Sequence, residues 1–482
     1  MYAFGSSLLP HRMLGGYIVK KQSNPSLEKK KAGKEFDSPY TLKSAVSKGD
    51  IITKTSIFIM GFGNLCHKQF IKGALFLAAE IAYILFMVQV GVNQLSKIPS
   101  LGSKAQTEVW NEKLGVYEYS AGDNSLLILL FGIATLFLTV FFLLLWKKSV
   151  ESSYKSQVLK EKGLHLQSFR EDLTDLLDVN LHKLLLTFPL MGILTFTVLP
   201  LAFMMSMAFT NYSKENNHLT LFHWVGIKNF ARVLDFSGTL GQTFWSVLAW
   251  TIVWAIFATF LNYIFGMILA IVINRPQTHA KGFYRFCFVL SIAVPQFVSL
   301  LIMRTMLQPQ GAVNVLLHNM GLIDKALPFF TNTMWARITV IVINLWVGIP
   351  YTMMQVTGIL KNIPGELYEA AKIDGASTNQ TFWKITLPYM LFVTTPYLIT
   401  SFTANINNFN IIFLLSGGDP TPVGYTAGKT DLLITWLYKL TIDKKFYDIG
   451  AVIGILTFIV LAVVALVTYR NTASYKDEEG FQ

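Results

Sequence analysis

Three groups of residues in this chain have types and spacings that can do chemistry. Ser401, Asn405 and Asn408 recur at i, i+4 and i+7, one face of a helix, within the otherwise apolar stretch 388–415. Amides and hydroxyls both donate and accept, so this stripe can bond the hydroxyls of a neutral polar solute. It can equally join helices, a contact worth about 0.6 kcal/mol on average in membranes. For Asn407 and Asn410, off the stripe, helix joining is the expected role. Asn344, Gly348 and Tyr351 surround Pro350 in a second apolar stretch, where a broken helix would expose backbone groups to protein or to a wet cavity. Pro295 offers the same break in 283–306. The third group is "EAAKIDGASTNQTFWKITLP" (369–388), a polar, glycine-broken loop between two apolar blocks.

The elements that must position these residues are membrane helices. The chain has 482 residues, 52% hydrophobic and 14% charged, with mean hydropathy +0.46, whereas soluble domains carry about 25% charge. A spanning helix needs about 20 mostly apolar residues. Eight stretches qualify: 73–92, 125–146, 185–207, 246–274, 283–306, 337–360, 388–415 and 449–468. The expected fold is therefore all-α, a polytopic bundle of about eight transmembrane helices. Two leading helices (73–146) and a charged connector (147–184) precede a six-helix core (185–470), with a boundary near 180. The stretch 60–73 is expected at the membrane interface, and 471–482 forms a short tail.

Charge sets the expected orientation. Residues 1–72 hold twelve Lys and Arg and 147–184 hold seven, against three in 93–124, which places both termini and the 361–388 loop in the cytoplasm. The net charge of +12 is accounted for by these loops, so no nucleic-acid partner is expected. The start of the chain has no apolar h-region, so the first spanning helix is expected to act as its own anchor. Cys66 and Cys287, the only cysteines, are too few for a disulfide framework or a cysteine metal site and read as packing residues. Glu80 is the one acid expected to be buried, paired with a lysine or snorkelling. "VGYTAGKT" (423–430) imitates a phosphate loop, but Gly424 and Gly428 are four apart rather than five, which leaves a flexible extracytoplasmic turn.

The loop has a local logic of its own. Pro364 suits a first helical turn with Glu366 and Glu369 near its positive end. Gly375 supplies a left-handed stop, and Ser377 with Gln380 forms a capping box that starts the next helix. The pattern Glu369-Ala370-Ala371, Asp374-Gly375-Ala376, then Ile385, Leu387 and Pro388, resembles the EAA loop of binding-protein-dependent ABC importer permeases. Within them the chain is most similar to maltose/maltodextrin permeases of the MalF type, through "INLWVGIPYTM" (343–353), "KNIPGELYEAAKIDGA" (361–376), "SFTANINNFNIIFLLSGGDP" (401–420) and "AGKTDLLITWLYKL" (427–440). The short 208–245 segment resembles Gram-positive versions, which lack a large extracytoplasmic domain.

That resemblance implies the following assignments. Asn344, Gly348, Tyr351, Ser401, Asn405 and Asn408 would contact the sugar. Glu369, Ala370, Ala371, Asp374 and Gly375 would couple to an ABC ATPase dimer. A second permease subunit and an extracellular sugar-binding lipoprotein would complete the importer in the bacterial cell membrane, among membrane lipid. The chain itself would be a transport subunit and no enzyme, with no cofactor and no metal. Ala404 and Ile292 stand where the relatives carry aromatic rings, which leaves the length and identity of the oligosaccharide open. A stand-alone secondary transporter is disfavoured because the core helices hold essentially no ionisable groups to couple ions. A membrane enzyme is disfavoured because no His/Asp/Glu constellation gathers at a helix end.

Overall fold

The computed structural model describes residues 40–470 apart from 106, 113, 121, 216 and 217; the terminal tails 1–39 and 471–482 lie outside the described residues. Among these, seven helices are long and apolar enough to cross a membrane, and a bent pair makes up to eight. They are α1 (Phe70–Lys97), α2 (Ser125–Glu161), α3 (Leu181–Met207), α4 (Thr239–Asn274), the pair α5 (Lys281–Ala293) and α6 (Gln296–Met306), α7 (Thr333–Asn362), α9 (Thr378–Ile406) and α11 (Tyr447–Arg470). Between them lie α8 (Gly365–Ile373) and α10 (409–416). The fold is all-α. Its named strands, β1 (Thr107–Asn111) and β2 (Val116–Ser120), form an antiparallel hairpin in the loop between α1 and α2.

Proline accounts for the breaks only in part. The stretch 283–306 is two helices bent by 85°. Val294 is extended (φ −77°, ψ 125°) because the ring of Pro295 disfavours the helical region for the residue before it. Pro350 does not break α7, which runs through it, so the expected rupture beside Asn344 and Gly348 is absent. The stretch 388–415 does break, at Asn407 and Asn408, where no proline stands.

The chain divides into two compact units. One joins the described residues up to Tyr83 with Phe141–Asp178, so α1 and α2 are each shared between units, unlike the expected partition into a 73–146 pair. Its interior pairs a small apolar cluster of Ala45, Val150 and Tyr154 with a polar seam. Ser149, Ser153, Ser156 and Gln157 form a buried face of α2. Ser149 Oγ accepts from Gly61 N at 2.9 Å, and Gln157 Oε1 accepts from Asp50 N and Thr53 Oγ1, each at 2.9 Å. The 60–73 stretch, expected at a membrane interface, thus packs its backbone on this serine face. Glu80 is half-buried, and its Oε2 accepts from Met60 N at 2.8 Å rather than from a lysine.

The second unit joins Ile84–Val140 with the chain from Val179 onward. Helix α4 runs through three apolar clusters, contributing Phe244 and Val247 to the first, Trp250, Trp254 and Ala258 to the second, and Tyr263, Met267 and Ala270 to the third. Its most extensive partner is α7. Contact is close at Gly266, where a Cβ would lie 2.6 Å from Thr352 Cβ and 3.1 Å from the Met353 nitrogen. Cys66 and Cys287 are both exposed, not packed. Cys287 shares its helix with exposed Phe283, Phe286 and Leu290. A surface that faces hydrocarbon gives an apolar side chain no reason to hide.

Residues 423–430 are not the free turn the sequence suggests. Ala427 and Thr430 are buried. Thr430 Oγ1 bonds Ser416 Oγ at 2.9 Å, and Trp250 Nε1 donates to the Thr430 carbonyl at 3.1 Å. Arg337 on α7 lies over the Trp250 ring at 4.4 Å and donates to the Lys429 carbonyl at 3.1 Å, so a core helix does carry a cation. Beneath the turn Asp431 is fully buried; its carboxylate accepts from Lys439 Nζ at 2.6 Å, Gly428 N at 2.7 Å and Thr435 Oγ1 at 2.9 Å. Burial holds the Asp431 carboxyl above the usual range, against the pull of Lys439 and these donors. Asp448 is buried as well, so Glu80 is neither the sole nor the deepest acid. Asp431→Ala strands the ammonium and two further donors, and is expected to cost about 3–5 kcal/mol. Thermal unfolding of the purified protein in detergent should show this, while exposed Asp443→Ala should stay within about 0.5 kcal/mol.

Candidate functional site

The site is built on α4, α5, α6, α7, α9 and α10, which enclose a cavity of about 520 Å³. All six residues marked in the sequence, Asn344, Gly348, Tyr351, Ser401, Asn405 and Asn408, line it. They reach it by a different route from the one the spacing suggested. Ser401 and Asn405 lie on α9, but the helix ends at Ile406, and Asn408 is the N-cap of α10. Its Oδ1 accepts from Ile411 N at 3.3 Å and its Nδ2 donates to Asn405 Oδ1 at 3.4 Å. Asn405 Nδ2 in turn donates to Thr259 Oγ1 at 3.0 Å, and Trp254 Nε1 donates to the Asn405 carbonyl at 3.1 Å. Helix joining therefore falls on Asn405, whereas Asn407 and Asn410, given that role from sequence, are exposed.

Sequence reasoning missed other lining residues. Asn262 on α4, Gln296 on α6, and Trp346, Tyr397 and Thr400 also line the cavity. An amide in the middle of the apolar run 246–274 was the available signal for Asn262; for Trp346 and Tyr397 an aromatic in a membrane helix carries no signal of its own. Ala404 and Ile292 line the cavity as small and aliphatic positions, and the ring faces come instead from Trp346, Tyr351 and Tyr397. Among the described residues none of the lining side chains is Asp, Glu, Lys, Arg or His. Such a wall can bond a neutral polyol and stack on its C–H faces, and it has nothing to balance an ionised group.

The 361–388 loop forms as its local signals require. Pro364 precedes α8, whose first turn carries Glu366. Gly375 is left-handed at φ +73°. Ser377 and Gln380 make both bonds of the capping box, at 2.8 and 3.3 Å, and α9 follows. Glu369, Ala370, Asp374 and Gly375 are exposed, while Ala371 is buried against its own chain. Ile373 at the tip is 86% exposed, and no atom lies within 4 Å of where a Gly375 side chain would begin.

Comparison with known proteins bears on the family and the fold. Residues 262–473 match the family described as "Binding-protein-dependent transport system inner membrane component". The chain is 33% identical over 432 residues to the maltodextrin transport system permease protein MdxF of Bacillus subtilis, covering 87% of this chain and 95% of that one. It is 34% identical over 423 residues to the galactooligosaccharides transport system permease protein GanP of the same organism, covering 87% and 97%. A chain of a bacterial alginate ABC transporter, crystallised in complex with an alginate pentasaccharide-bound periplasmic protein, shares the fold with a TM-score of 0.51 at 23% identity, over 63% of this chain and 98% of that one.

The N-cap role of Asn408 separates stability from binding. Asn408→Leu removes the cap and should lower stability by about 1 kcal/mol, whereas Asn408→Ser keeps a capping oxygen and should stay within a few tenths. Exposed Asn410→Leu should be neutral. Thermal midpoints of the three variants in detergent test this, and equal losses at 408 and 410 would contradict the cap.

Proposed function

Because this chain belongs to the binding-protein-dependent transport system inner membrane components, we propose that it is the permease subunit of an ATP-driven importer of neutral oligosaccharides of the maltodextrin type. The observation that carries this reading is the cavity: residues from separate helices converge on it, its polar groups are amides and hydroxyls, aromatic rings stand among them, and no ionised side chain lines it. An acidic polysaccharide would call for cations in the wall. A galactooligosaccharide is the second reading, favoured by the 34% identity to a permease named for that sugar.

In the proposed mechanism Asn344, Tyr351, Ser401, Asn405 and Asn408 hold the sugar in transit, delivered by an extracellular binding protein, and Gly348 shapes the wall beside them. A second permease subunit supplies the facing half of the path. Both termini and the 361–388 loop face the cytoplasm, and the loop seats on an ABC ATPase dimer through Glu369, Ala370, Asp374 and Gly375. Ala371 acts from behind, holding α8 to its own chain. Because the elbow is capped at both sides, a push on α8 passes into α9, which carries Ser401 and Asn405. Ionisable relays are not needed, since ATP hydrolysis by the partner drives the change.

Two variants test the two halves of this reading by radiolabelled maltotriose uptake in cells whose own copy is replaced at matched membrane levels. Asn408→Ser, which keeps the cap, should cut uptake about five- to hundredfold by leaving a sugar hydroxyl unpaired. Gly375→Val places a β-branched residue at φ +73°, a strain of about 1–2 kcal/mol. It should abolish coupled uptake while the protein still inserts. Normal uptake with normal ATPase co-purification in Gly375→Val would exclude the coupling role. Uptake of galactotriose but not maltotriose by the unaltered protein would select the second reading.

A further inference from the structure

We propose that Asn262 is a further substrate-recognition residue, and that position 348 is glycine because the Asn262 amide occupies the space a side chain there would fill. The inference rests on the oligosaccharide reading above and assigns a residue to that same site. A Cβ at position 348 would lie 2.5 Å from Cγ, Oδ1 and Nδ2 of Asn262, closer than real Cβ contacts come. The amide is held there by its own helix, since Nδ2 donates to the Ala258 carbonyl at 2.7 Å. Its Oδ1 is left buried with no hydrogen-bond partner.

The matching group stands across the helix contact. Asn344 lies one turn before Gly348 on α7 and is 3% exposed, and its Nδ2 is also buried with no partner. An acceptor from α4 and a donor from α7 are thus both unsatisfied, and both belong to residues that line the cavity. Leaving such atoms unpaired is destabilising, so a native site that keeps them invites an explanation. The terminal torsion of an asparagine has a broad well, and a modest rotation turns either atom toward the lumen. Neighbouring hydroxyls of one sugar ring supply what is missing: one donates to Asn262 Oδ1 and the other accepts from Asn344 Nδ2. A solute without hydroxyls leaves both atoms unpaired, so the pair selects for a polyol. Gly348 then serves recognition without touching sugar, by admitting the Asn262 amide to the wall.

The test uses the complete complex, purified through a tag on this chain and reconstituted in proteoliposomes with its binding protein. Radiolabelled maltotriose and galactotriose are the probes, and the readout is sugar imported per ATP hydrolysed. Asn262→Ala should lower that ratio about five- to tenfold, with binding-protein-stimulated ATP hydrolysis retained. Gly348→Ala should reproduce the fall by displacing the amide, and the double variant should be no worse than Asn262→Ala alone, because both changes act on one group. Asn262→Ser, smaller and still polar, should show the same fall and is read if Asn262→Ala does not accumulate. An unchanged ratio in the Asn262 variants, or parallel losses of import, hydrolysis and thermal stability, would make Asn262 a packing residue and overturn the inference alone. An unaltered complex that imports neither sugar overturns the oligosaccharide reading, and the inference with it.

Discussion

The close approach of α4 and α7 is the constraint on which the rest of the second unit depends. Lipid tails are as apolar as leucine, so burial of apolar surface does little to join two helices in a membrane; small residues that let backbones approach do more. Gly266 and Gly348 give that access, and Ala255, Ala258 and Ala270 are fully buried along α4. With the two helices fixed, α4 presents tryptophans to α6 and α10 along one part of its length and Asn262 to the cavity about two turns beyond Trp254.

Polar groups inside this bundle are treated in two opposite ways. Around Asp431 both carboxylate oxygens are used, through Lys439, Thr435 and Gly428, and the neighbouring Thr430, Ser416 and Trp250 are bonded as well. A fully satisfied network in a low-dielectric interior is rigid. In the cavity wall, Asn262 and Asn344 keep unpaired atoms, and Asn405 and Asn408 spend part of their capacity within the chain. The first arrangement holds a loop in place. The second leaves bonding capacity open at the cavity wall.

The 361–388 loop combines a tightly capped elbow with an exposed tip. The turn at Gly375 and the capping box at Ser377 are local, while Ile363, Tyr368, Phe382 and Leu387 pack the loop on the cluster of Tyr263 and Met267 from α4. The exposed Ile373 and the open space at Gly375 leave its outer side unpartnered within the described chain. It leads directly into α9, the helix that carries Ser401 and Asn405.

Sequence by itself determined what depends on neighbours within a few residues or on bulk composition: the apolar stretches and hence the all-α membrane fold, the helix stop at Gly375, the Ser377–Gln380 box, and the bend at Pro295. It also marked six residues that share one cavity, three of them by a stripe of amides and a hydroxyl in an apolar background and three by their place around Pro350. Tertiary structure decided what depends on groups far apart in the chain. A proline in α7 left the helix intact, an asparagine pair ended α9 early, both cysteines faced outward, and a loop that read as free was tied down by Trp250 and Arg337 from distant helices. Asn262 could be recognised only once α7 was packed against it, because an unpaired amide is a property of what surrounds the group and not of the residue.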